Sequence, residues 1–110
     1  MGLRAAGSVA NPISGTPPTG FTAVSQIFTK DVSVTAGAIA ALVSTLVEVT
    51  IAGLLVTDQV LVQCRGTMTS GAIIANAKVV SSNTLEITFS TAVALGVTLG
   101  ALTYRVTVFR

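Results

Sequence analysis

The chain of 110 residues contains no histidine and no tryptophan. Without histidine it lacks the commonest general base and the commonest metal ligand. A single cysteine, Cys64, can form neither an intrachain disulfide nor a cysteine-rich zinc site. Charge is scarce too: Lys, Arg, Asp and Glu make up 9% of the residues, against about a quarter in an ordinary soluble domain. The four carboxylates, Asp31, Glu48, Asp58 and Glu86, are scattered and form no acidic cluster. No glycine-rich loop has the spacing that cradles phosphate. These absences point away from an enzyme, and no cofactor, metal or small-molecule substrate is expected. The one nominee for a nucleophile, Cys64, shares a face with Val60 and Val62 and reads as a buried, inert thiol.

The six basic residues, Arg4, Lys30, Arg65, Lys78, Arg105 and Arg110, form no run and no basic cluster interleaved with aromatic residues. A nucleic-acid surface needs a basic stripe, so no nucleic-acid partner is expected. Met1 to Ala10 carries one positive charge with no long apolar core after it, so no signal peptide is expected. Two uncharged stretches could imitate a membrane span. Val32 to Val47 has 16 residues, short of the roughly 20 needed. Ile87 to Tyr104 has 18, but holds Thr88, Ser90, Thr91, Thr98 and Thr103, with Gly96 and Gly100 inside. No membrane partner is expected.

What is present is valine, threonine and alanine, with 51% of the chain hydrophobic. All three prolines lie in the first 18 residues. Residues 1–24 therefore read as an extended arm, since Pro17-Pro18 favours extended backbone and cannot donate to a sheet. Twenty such residues would reach about 65 Å. Leu3, Val9, Pro12, Ile13, Pro17, Pro18 and Phe21 are the arm residues expected to touch a neighbour.

From Ser25 onward the pattern alternates with a period of two. Leu85, Ile87 and Phe89 face one way, and Thr84, Glu86, Thr88 and Ser90 the other. Leu102, Tyr104, Val106 and Val108 repeat the pattern, as do 31–35, 47–51 and 59–64, the last with Leu61 on its polar face. A further strand is expected across 72–80. Such half-buried, β-branched runs are strands. Ser81-Ser-Asn83 reads as a tight hairpin connection. The expected fold is all-β: an antiparallel β-sandwich or small barrel of about 6–7 strands over 25–110, behind the arm of 1–24. Helix is disfavoured everywhere, with Ala36 to Ala41 the one stretch that could hold a turn of it.

The body has no proline and only nine charges, so its sheet edges lack the usual protection. Val93, Leu95, Val97 and Leu99 alternate in the stretch between two strands. They read either as an apolar loop buried in a subunit contact or as a seventh core strand over 92–99. Both features point to an assembly protein.

Asp58-Gln-Val-Leu-Val62, Ala77-Lys-Val79, Asn83-Thr-Leu-Glu-Ile-Thr-Phe89 and Thr103-Tyr-Arg-Val106 together resemble small virion proteins of tailed bacteriophages. The resemblance covers roughly residues 45–110. Two positions depart from it: Thr91 stands where those proteins often have Asn, and the last loop has no proline. The resemblance implies a β-sandwich module, often trimeric, that decorates or cements a capsid or builds part of the tail or its fibres. On that basis the expected partners are copies of the chain itself and a major capsid protein, at the virion surface. The alternative is a receptor-binding module of a tail or fibre.

Overall fold

The structure is a computed structural model that describes residues 16–92 and 95–110. Six strands follow one another: β1 (Ile27–Ile39), β2 (Thr45–Thr50), β3 (Gln59–Cys64), β4 (Ala72–Ser81), β5 (Thr84–Thr91) and β6 (Val97–Phe109). There is no helix among the described residues. The strands form two antiparallel sheets of three, ordered β1-β6-β3 and β2-β5-β4. Among the described residues each sheet ends in an unpaired edge on both sides, so the pair does not close into a barrel. Ala36 to Ile39 is strand, not helix.

The sheets share one core because their apolar faces meet. Leu85, Ile87 and Phe89 of β5 are wholly buried, as are Tyr104 and Val106 of β6. The rings of Phe89 and Tyr104 meet edge to face at 6.0 Å and 70°, joining the centres of the two sheets. Such a pair contributes roughly 0.5–1.5 kcal/mol beyond the area it buries. Val79, Val34, Ile51 and Leu54 close the core around them.

The two longest strands, β1 and β6, pair along nearly their whole length, from Ile27 opposite Phe109 to Ile39 opposite Val97. Their inward sets slip by one residue at the same level. In β1, Val32 and Val34 face in, then Ile39; in β6, Leu99 faces in, then Leu102, Tyr104, Val106 and Val108. Gly37 allows the slip in β1, at a φ of 76° that a side chain would strain. Gly100 and Ala101 are both exposed where β6 makes the same change. The seventh strand expected over 92–99 is thus not separate. Val97 to Leu99 is the first part of β6, and the slip is what makes one strand look like two.

The expected hairpin at Ser81 to Asn83 is present: Ser81 pairs with Thr84 across Ser82 and Asn83. Asn83 takes a left-handed φ of 67°, which asparagine tolerates better than most residues.

Candidate interaction surface

The strand order sends the connections to two opposite ends. One end carries the β1–β2 turn, the β3–β4 connection and the described part of the β5–β6 connection. The other carries residues 16–26, the β2–β3 loop, the Ser82-Asn83 turn and Arg110.

At the first end, Leu42 and Leu95 are each 78% exposed. Leu42 sits in the β1–β2 turn at a φ of 61°, unusual for a side chain of its size. Leu42, Val43 and Ser44 line one shallow depression with Ser90 and Thr91 at the end of β5. Gly96 brings the Leu95 segment against the same turn. A Cβ at Gly96 would lie 2.9 Å from the Ile39 carbonyl oxygen, so only glycine permits the approach. Leu46, opposite Thr88, and Ile73, opposite Ser90, extend the apolar surface onto the outer face of β2-β5-β4. At this end the Ala92 amide donates to the Gly71 carbonyl at 2.7 Å, the Ala72 amide to the Thr69 carbonyl at 3.1 Å, and the Thr69 hydroxyl to the Thr98 carbonyl at 3.4 Å.

The second end is bound polar to polar. Asp58 is buried, and its carboxylate accepts two hydrogen bonds from Arg110, at 2.9 Å from Nε and 2.8 Å from Nη2. The Leu55 amide donates to the same carboxylate at 2.9 Å. Arg110 Nη2 also donates to the Gly53 carbonyl at 2.8 Å, and its guanidinium lies 5.2 Å from the Phe28 ring centre. The hydrogen bonds from Arg110 hold the Asp58 carboxyl below the ordinary carboxylate range, helped by the Leu55 amide, while burial opposes them. Asn83 fastens its turn to the β2–β3 loop. Its side-chain oxygen accepts from the Gly53 amide at 2.8 Å, its amide donates to Leu54, and its carbonyl accepts from Ile51. Beside this end an open groove of about 290 Å³ runs between Phe28, Ile51, Leu54, Val106 and Val108. It is shallow and mostly apolar, with Thr29, Lys30 and Arg110 also on its lining.

The outer faces carry hydroxyls. Ser33, Thr103, Thr29 and Thr107 alternate on one sheet, around a surface ion pair of Arg105 with Asp31 at 3.1 Å. A pair this exposed contributes about 0–1 kcal/mol. On the other sheet Glu48 and Glu86 stand opposite each other, with Lys78 opposite Glu86 on the far side.

The residues expected from sequence to touch a partner fall in several places. Pro17, Pro18 and Phe21 are exposed in the segment before β1, with the Phe21 amide donating to the Pro18 carbonyl in a turn. Leu95 is exposed. Val97 is half-buried in β6, and Leu99, 1% exposed, belongs to the core and has no surface to offer a partner. Its inward direction follows from the slip in β6. Leu3, Val9, Pro12, Ile13 and Val93 lie outside the described residues. Cys64 is half-buried on the face it shares with Val60 and Val62. Among the described residues no three His, Cys, Asp or Glu side chains come together as a metal site. Sequence reading missed Leu42 and Val43. The signal was there: Ala40-Ala-Leu-Val-Ser44 is an apolar run between two strands, the same sign that drew notice to Leu95. Comparison of the chain with protein-family models, with curated proteins and with solved structures gives no match.

Proposed function

We propose that this chain is a structural protein of a virus particle, a β-sandwich cement that binds the shell of major capsid protein at its outer surface and works as an oligomer. The observation that carries the reading is the end bearing Leu42, Val43 and Leu95. It exposes Leu42, Val43 and Leu95 on a body that has a buried core of its own. Such a patch marks a contact with another macromolecule. The hydroxyl-rich outer faces support the same reading, because threonine and serine enter an interface at a lower desolvation cost than unpaired lysine or glutamate. The resemblance of the strand sequences to phage virion proteins supplies the kind of particle. In this reading the segment 1–24 grips a neighbouring subunit, and the apolar end sits against the shell.

The test uses capsid shells lacking this protein and the purified chain. The full chain should co-sediment with the shells. Removing residues 1–20 should leave the body folded by circular dichroism and abolish co-sedimentation. Full-strength binding by the shortened chain would overturn the role of the arm, and no binding by the full chain would overturn the cement reading.

A further inference from the structure

The two sheets leave four free edges among the described residues, and they differ in protection. β1 carries Lys30 and Asp31 and the Gly37 slip. β2 carries Glu48. β4 carries Lys78 and shifts register between Ile74 and Asn76 and again between Val79 and Ser81. Charges and bulges of this kind stop an edge from accepting another strand. β3 has none of them. Gln59–Cys64 contains no charge and no proline, and its register with β6 runs without a break.

The first five residues of β3 also form a palindrome. Gln59-Val-Leu-Val-Gln63 reads the same from either end, centred on Leu61. Antiparallel pairing of this strand with itself about Leu61 sets Leu61 against Leu61, Val60 against Val62 and Gln59 against Gln63. Each pair shares a face, so the valines meet on the core side and the leucines and glutamines outside. Leu61 is 63% exposed on that outer side.

The backbone fits the same axis. The Arg65 amide donates to the Thr103 carbonyl at 2.7 Å, in step with the β3–β6 register. In an antiparallel ladder the bonded residues alternate. Gln59, Leu61 and Gln63 therefore turn their N–H and C=O groups to β6, and Val60 and Val62 turn theirs to the free side. In the self-pair, Val60 of each copy exchanges two hydrogen bonds with Val62 of the other. Leu61 faces itself at the non-bonded position, where Cα atoms approach to about 4.5 Å.

We propose that the β3 edge is a two-fold interface between copies of this chain, joining two β1-β6-β3 sheets into one sheet of six strands. A two-fold contact needs a self-complementary surface, and this edge is self-complementary in side chain, hydrogen bonding and charge. The contact joins single chains or whole trimers in pairs, and it does not depend on which particle the chain decorates.

Cysteine scanning in a Cys64→Ser background tests the register. Leu61→Cys should oxidise to a disulfide-linked dimer on a non-reducing gel. Gln63→Cys should not, because its own counterpart lies about 13 Å along the partner strand. Equal cross-linking at both sites, or none at Leu61, would overturn the proposal. A second variant needs no cysteine. The wild-type assembly should sediment at an even multiple of the 11.1 kDa chain, and Leu61→Lys should halve that mass while the circular dichroism spectrum stays that of the folded chain. An odd multiple, or a mass that Leu61→Lys leaves intact, would overturn it as well.

Discussion

The two ends of this molecule solve the same problem in opposite ways. Both must finish strands and satisfy the groups left over. The Arg110 end does so internally, through a buried carboxylate, a bidentate arginine and an asparagine that bonds the β2–β3 loop through side chain and backbone. The Leu42 end leaves large apolar side chains in the open. One end is closed within a single chain, while the proposed function has the other covered by a partner. A chain so poor in charge spends two of its nine body charges on closing one end. It has little left to solubilise the other.

Substitutions at five positions would break or sharpen that contrast. The core sets the upper scale: Phe89→Ala should destabilise by about 3–5 kcal/mol in urea unfolding, because a wholly buried ring is lost between the sheets. Asp58→Asn should cost about 2–3 kcal/mol, since it weakens charged hydrogen bonds to a buried carboxylate. The same variant should flatten the acid limb of stability. The folded carboxyl is held below its unfolded value of about 3.9, so its contribution is full at neutral pH and fades as pH falls below roughly 4. Urea midpoints measured from pH 7 to pH 2 should show that slope in the wild type and less of it in Asp58→Asn. Asn83→Ala should cost about 1–2 kcal/mol, and Asn83→Gly less, because glycine restores the left-handed φ though not the bond to Gly53. Leu42→Ser with Leu95→Ser should change chain stability by no more than about 0.5 kcal/mol and yet weaken co-sedimentation with shells. A large loss of stability there would mean that this end also serves the single chain.

Much of the body was legible in the sequence. The alternation of Leu85, Ile87 and Phe89, and of Tyr104, Val106 and Val108, survives because each strand has one buried face, and a slip of one residue would expose the whole set. The barrel alternative was open because alternation fixes faces and says nothing about whether the last strand meets the first. Strand length was not legible either. At Gly37 and at Gly100-Ala101 the inward set changes parity, and a change of parity in a sequence looks the same as a loop. Leu99 was placed in a contact surface for that reason. The Asp58–Arg110 pair lies 52 residues apart in the chain, and nothing local to either residue announces it. Leu42 and Val43 were visible as apolar residues between strands, and only the turn geometry makes them prominent.

β6 occupies the centre of its sheet and is the last of the six strands to be synthesised. Neither β1 nor β3 has a partner in that sheet until β6 arrives, so half of the fold waits for translation to reach it. The other sheet can begin sooner, from the local β4–β5 hairpin. Closing β1 onto β6 spans most of the chain, a long loop that makes folding slow compared with a protein of local contacts. During that wait both edges of β3 stand without a neighbour in that sheet.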